Sequence, residues 1–189
     1  MILILIFLAV IAIWFFAIYN NLIRLIEAIN NNKKQIDIQL DRRFKVYESL
    51  IEVVKKYMDY EQTTLKDVVA LRNQAQKAEA SGLEKDRMAA EDAISNIGGK
   101  LNLVFEQYPQ LKANENALQL QEEISNTENK LTFSKQAYND SIEKYNATRK
   151  SFPIFIIVNL AKNKLYKDFE YWGISEEQRV EQEKYKVKM

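Results

Sequence analysis

At 189 residues the chain has room for one domain, and 27 Lys and Arg against 26 Asp and Glu leave no bulk cationic field to attract nucleic acid. It contains no cysteine and no histidine, which removes disulfides, thiolate nucleophiles, Cys/His zinc sites and the commonest general base near neutral pH. The chain is therefore read as a non-enzyme with no catalytic residue, no cofactor and no metal ion. Four glycines and two prolines, the first of either being Gly82, favour long helices over loop-rich sheets.

From Ile2 to Ile18 every side chain is apolar, at the short end of what a bilayer-spanning helix needs. A cleaved secretory signal is the alternative. No Lys or Arg precedes the run, however, and it closes on Trp14, Phe15 and Phe16 rather than on small residues. An uncleaved anchor over residues 1–20 is the expectation, with Trp14 and Tyr19 at headgroup depth. Arg24, Lys33, Lys34, Arg42 and Arg43 follow the span, which predicts a single-pass protein of the cell membrane with its N-terminus outside and the remainder cytoplasmic. The lipid bilayer is thus the first expected partner.

Residues 21–172 read as a helical domain. Leu22, Ile26, Ile29, Ile36, Leu40, Leu50, Val54, Val68, Leu71 and Ala75 form one apolar seam with a seven-residue repeat, interrupted by Lys33, Arg43 and Glu61. Without Pro or Gly before Gly82, anchor and stalk read as one helix of ~80 residues, on the order of 120 Å long. The stretch from Glu79 to Lys85 reads as the first turn, and a second helix follows to Gln107, with Gly98 and Gly99 marking a kink or a close helix contact.

Tyr108 and Pro109 end that helix. A third runs from Asn114 to Ser151 on a repeat of Ala117, Ile124, Leu131, Tyr138, Tyr145 and Phe152. Asn114 or Asn116 is expected to cap it. Three residues after these positions stand Leu120 and then Thr127, Ser134, Ser141 and Thr148, and the small hydroxyls of the last four suit close packing and bonds back to the helix. Pro153 opens a fourth helix patterned on Ile154, Ile157, Val158, Ala161, Leu165 and Phe169, and residues 173–189 read as a charged, frayed tail.

Asp37 and Asp41 share a helix face and, with Glu48 and Glu61, could suggest a carboxylate metal site; ion pairing with Arg42 or Lys45 accounts for them more simply. Helical di-metal sites pair glutamates with Glu-x-x-His, which a chain without histidine cannot complete. The aromatics lack the electropositive groove that base stacking works with, so nucleic acid is not an expected partner. Arg43 lies on the seam itself and is expected to be at least half buried and paired, because a forked guanidinium can satisfy carboxylates where an unpaired charge would be costly.

Several spaced segments resemble the LemA family. They are "YNNL" at Tyr19 to Leu22, "QIDIQLDRRF" at Gln35 to Phe44, "YPQLKANEN" at Tyr108 to Asn116, "TEN" at Thr127 to Asn129, "YND" at Tyr138, Asn139 and Asp140, "YN" at Tyr145 and Asn146, and "FP" at Phe152 and Pro153. The resemblance implies an N-terminal transmembrane helix followed by a cytoplasmic, antiparallel all-α bundle of four long helices, in a family of bacterial membrane proteins without an established enzymatic activity. Some relatives are associated with membrane remodelling. One departure is local: relatives read Asp, two apolar residues, Pro and Asn after the arginine pair, where this chain has Lys45, Val46, Tyr47, Glu48 and Ser49, so a straighter helix is expected here.

The expected function is a membrane-anchored helical scaffold serving membrane organisation. The alternative is an accessory subunit of a membrane protease or secretion complex, with another membrane protein as partner. Helix lengths add one more expectation. With the first turn near residue 80 as the distal tip, the second helix would descend from it, the third climb past it and the fourth fold back across that distal end; nothing would return along the stalk, the seam from Leu22 to Val54 would be open to water, and a second copy would cover it.

Overall fold

A computed structural model describes residues 1–54, 56, 62–107 and 113–173. It is all-α, with six helices among the described residues: α1 Ile2–Val54, α2 Gln62–Ala80, α3 Glu84–Gln107, α4 Glu115–Lys150, α5 Ile154–Leu160 and α6 Lys162–Leu165.

The stalk is not one helix of ~80 residues. The chain reverses between Val54 and Gln62, and α2 runs back beside α1: Arg72 pairs with Asp41 and stacks over the Phe44 ring, while Glu79 lies level with Arg87, the partner of Asp37. No Pro or Gly marks residues 55–61, so the reversal has no signature in composition. The expected turn after Ala80 is present as the second reversal. Leu83 N–H donates to Ala78 C=O at 2.8 Å and Gly82 N–H to Glu79 C=O at 3.0 Å, the paired bonds that close a helix on a left-handed residue. Gly82 supplies that residue, with φ 70°.

α3 then runs outward again, Glu84 beside Lys33 and Glu91 beside Arg43, unbroken through Gly98 and Gly99. The surroundings of those two glycines, like residues 108–112 and 174–189, lie outside the described residues. Asn114 caps α4, its Oδ1 accepting from Ala117 N–H at 3.0 Å, whereas Asn116 is exposed within the first turn.

α4 corrects the sequence reading most. It descends along α1 from Val54 to about Ile23, short of the apolar run, and is that helix's main packing partner. At one end Ala117 and Ile124 share a core with Val46, Tyr47, Leu50, Ile51 and Val54. Towards the other end Asn32 Nδ2 donates to Ala137 C=O at 3.1 Å and to Ser141 Oγ at 2.6 Å. Leu22, Ile26, Ile29, Ile36, Leu40, Leu50 and Val54 are all buried within the single chain. A second copy is therefore not needed to cover this seam, because the unforeseen reversal between Val54 and Gln62 turns α4 back along the stalk.

The expected α4 repeat is buried at Ala117, Ile124, Leu131, Tyr138 and Tyr145, joined by Thr127 and Ile142. Phe152 departs from it: α4 stops at Lys150 and the Phe152 side chain is exposed. Ser134, Ser141 and Thr148 donate back to the carbonyls of Lys130, Ala137 and Lys144, as their type predicts.

The predicted fourth helix is two short ones. Pro153 sits at the N-cap of α5, and α5 and α6 meet at Ala161. They do not cross the distal end. Both pack on α1, burying Ile157, Val158 and Leu165 in a core shared with Leu22, Ile26 and Tyr145.

Candidate functional site

Two polar assemblies stand out in the bundle. The first is a buried layer where α1, α3 and α4 meet. Arg43 has 1% of its surface exposed. Its Nη2 donates to Glu91, and its Nη1 donates to Ser95 Oγ at 2.6 Å and lies 3.7 Å from Glu128. The Tyr47 hydroxyl donates to Glu128 Oε1 at 2.8 Å, and Ser95 donates to Glu128 Oε2 at 3.3 Å. One turn of α3 nearer the span, the buried Arg87 donates to Asp37, with Glu79 3.3 Å from its Nη1. The outer face carries Arg42 with Glu123, and Asp41 with Lys45 and Arg72.

The layer's electrostatics follow from burial and these partners. Burial pushes the Glu91 carboxyl up, against the opposing pull of Arg43 and Arg87. Burial and then the Glu128 charge push the Tyr47 phenol far above its ordinary range, so it is a neutral donor. Burial works against the Arg87 cation, but Asp37, Glu79 and Glu84 together hold it more firmly protonated than usual. The Lys45 hydrogen bond leads the influences that keep Asp41 below the usual carboxylate value.

This arrangement locks helices together. Asp41 pairs with Lys45 as read, whereas Asp37 pairs with Arg87 and Arg42 turns to Glu123; Glu48 is exposed and Glu61 lies outside the described residues. Among the described residues no three carboxylates converge on a point that could hold a cation. The cavity beside the layer, lined in part by Asp37, Arg43, Phe44, Arg72 and Glu91, has about 100 Å³, below the ~300–1,000 Å³ of ligand pockets.

The second assembly is a strap. Residues 166–172 follow α6 as non-helical chain laid against α4. Tyr145 Oη donates to Leu165 C=O at 2.6 Å and accepts from Lys167 N–H at 2.9 Å. Asn139 grips the Trp172 backbone from both sides, donating to its C=O at 2.6 Å and accepting its N–H at 2.8 Å. Tyr138 Oη donates to Glu170 C=O at 3.2 Å, and Arg149 donates to Lys167 C=O at 2.7 Å while pairing with Asp168. A chain with no strand or helix partner must find its hydrogen bonds in side chains, and these supply them. Trp172 is buried as a result, with Lys135 and Arg87 over its ring at 5.0 and 5.7 Å. Sequence reasoning named Tyr138, Asn139, Tyr145 and Asn146 as a resemblance and gave two of them a packing role. The strap they hold was not foreseen, since an irregular segment has no periodicity to read.

The segments that resembled a known family thus occupy definite structural posts: "QIDIQLDRRF" builds the buried layer, and "YND" and "YN" hold the strap. Comparison with known proteins agrees, with a match to the LemA family over residues 32–188. This chain belongs to the LemA family. It is also 29% identical over 147 residues to Protein LemA of Metamycoplasma hominis (strain ATCC 23114 / DSM 25592 / NBRC 14850 / NCTC 10111 / PG21). That match covers 76% of this chain and 66% of the relative, just under two thirds of its length. At the position where LemA relatives were expected to carry a prolyl segment, α1 continues as helix through Lys45 to Ser49, with Tyr47 buried against α4. LemA membership and the apolar N-terminal third of α1, whose most apolar 18-residue window has mean hydropathy 3.0 and no residue buried in the fold, fit a membrane-associated protein.

Proposed function

We propose that this LemA protein is a non-enzymatic scaffold, anchored by Ile2–Ile18 and holding a rigid helical bundle at fixed orientation on the cytoplasmic face of the cell membrane. The observation that carries the reading is the continuity of α1: the apolar segment and the bundle's longest core helix are one helix from Ile2 to Val54. A helix without interruption transmits orientation, where a flexible linker would not. Support for the cytoplasmic side comes from the basic residues that closely follow the span, Arg24, Lys33 and Lys34, the pattern of positive residues retained inside.

The scaffold's partners in membrane organisation are other membrane proteins or further copies of the chain. Copies would meet through faces other than the stalk seam, where Ile38, Leu118 and Phe133 are exposed apolar side chains. Full-length protein captured from native membranes in mild detergent tests this. A self-assembly or a set of structural membrane proteins is expected. A stoichiometric protease or secretion subunit would move the reading to an accessory subunit. Orientation is checked with Ser81→Cys, exposed in the turn between α2 and α3 of the cysteine-free chain, which should react with an impermeant maleimide in inside-out vesicles and not in right-side-out ones.

A further inference from the structure

The end of the bundle nearest the apolar segment has an unusual surface. Along residues 151–161 the side chains divide by helical face. Ile157 and Val158 are buried against α1, with Ile154 and Ala161 partly so. Phe152, Phe155, Ile156 and Leu160 point outward, and Phe152 and Leu160 keep 80% and 75% of their surface exposed. Phe155, Ile156 and Leu160 share the outward face of α5, and the Phe152 ring, in the turn before it, lies 6.3 Å from the Phe155 ring. Their rim is basic, with Lys150, Lys162, Lys164 and Lys167 all exposed.

Position decides what this face meets. Asn32 is bonded to Ser141, and Lys150 lies about nine residues further along α4; at equal rise it stands level with Ile23 on α1. The α4–α5 corner therefore lies about one turn from Ile18, where the apolar run ends. Phe15, Ile18 and Tyr19 pack against the same core as Ile157 and Val158, so α5 sits against the last turn of the span. A cavity of about 330 Å³ opens between the basic rim and the apolar face, lined by Arg149, Lys150, Phe155, Val158, Asn159 and Tyr166.

We propose that α5 and the Phe152 corner form a second, interfacial membrane anchor: Phe152, Phe155, Ile156 and Leu160 enter the headgroup–acyl boundary of an anionic leaflet beside the span, and the lysine rim meets the lipid phosphates. Two features select a bilayer over a protein partner. The face is continuous with the apolar run of α1, and it pairs an apolar stripe with a cationic border, as interfacial helices do. The consequence is a two-point footing that prevents the bundle from tilting about α1.

The inference rests on the reading of Ile2–Ile18 as a span, and one experiment separates the two. Single cysteines are introduced as Phe7→Cys, Phe155→Cys, Leu160→Cys and Phe133→Cys in the full-length chain and labelled with an environment-sensitive fluorophore. The proteins are reconstituted in phosphatidylglycerol–phosphatidylcholine vesicles containing lipids brominated near the headgroup or deep in the chain. All four side chains are exposed, and unchanged far-UV circular dichroism confirms the fold of each variant. Probes at Phe155 and Leu160 should shift to the blue and lose most of their emission to shallow bromines, while Phe7 responds to deep ones and Phe133 to neither. Water-like probes at Phe155 and Leu160 beside a quenched Phe7 would overturn the interfacial anchor and leave the span standing. An unquenched Phe7 would overturn the span, and the two α5 probes would then decide the inference by themselves.

Discussion

Replacing Arg43 by alanine removes the cation of the buried layer and leaves Glu91, a carboxylate 8% exposed, without its guanidinium. Ser95 and Glu128 lose their contacts with Nη1 at 2.6 and 3.7 Å in the same change. Breaking one half of a buried ion pair costs about 3–5 kcal/mol, most of it the stranded charge. In a chain of this length that lowers Tm on the order of 10 °C, measured by circular dichroism on the full-length protein in detergent. Two controls sharpen the argument. Arg43→Met combined with Glu91→Leu should recover most of the loss, because the buried carboxylate leaves with its partner and the part-exposed Glu128 keeps its bonds from Tyr47 and Ser95. The penalty of Arg43→Ala alone should also shrink in acid. Without Arg43, burial raises the Glu91 pKa further, and a raised carboxyl contributes its stability below the unfolded value, losing it as pH rises through the folded one. A loss below about 1 kcal/mol, or a full penalty unchanged between acid and neutral pH, would refute the reasoning.

Asn114→Ala should cost about 1 kcal/mol by urea unfolding, and Asn116→Ala less than about 0.5, since only Asn114 bonds a first-turn amide. Tyr145→Phe strips the partner from both Leu165 C=O and Lys167 N–H, so it should cost about 1–3 kcal/mol and speed hydrogen exchange at the Lys167 amide. Burial pushes the Tyr138 phenol up to about 12, so its contribution is complete below the ordinary tyrosine value and is lost as pH rises towards about 12. Tyr138→Phe should flatten the alkaline arm of the stability profile; an unchanged arm in a pH titration of Tm would show that the side chain is not buried in its neutral form.

How far the sequence could be read depended on periodicity. The seam from Leu22 to Val54 and the α4 repeat from Ala117 to Tyr145 are long, regular signals, and both are buried as their patterns require. Arg43 was legible because its place on the seam demanded a partner, and Glu91 and Ser95 supply one. What failed was direction. Residues 55–61 contain neither Gly nor Pro, so the first reversal left no trace, and every later helix was assigned to the wrong end of the stalk. Placing α5 at the distal tip followed from that single omission. The strap escaped for a different reason: residues 166–172 are held by side-chain hydrogen bonds from residues 18 to 33 positions away, which no local pattern records.

The central claim is that one chain covers its own stalk, with α4 lying antiparallel on α1. Asn32→Cys and Ser141→Cys place two thiols where the native side chains meet at 2.6 Å, in a chain with no other cysteine. A short bifunctional thiol reagent added to the full-length protein in native membranes should join them within one chain. Monomer-mass product with altered mobility, unaffected by mixing two tagged versions of the protein, is the predicted result; cross-linked dimers carrying both tags would contradict it.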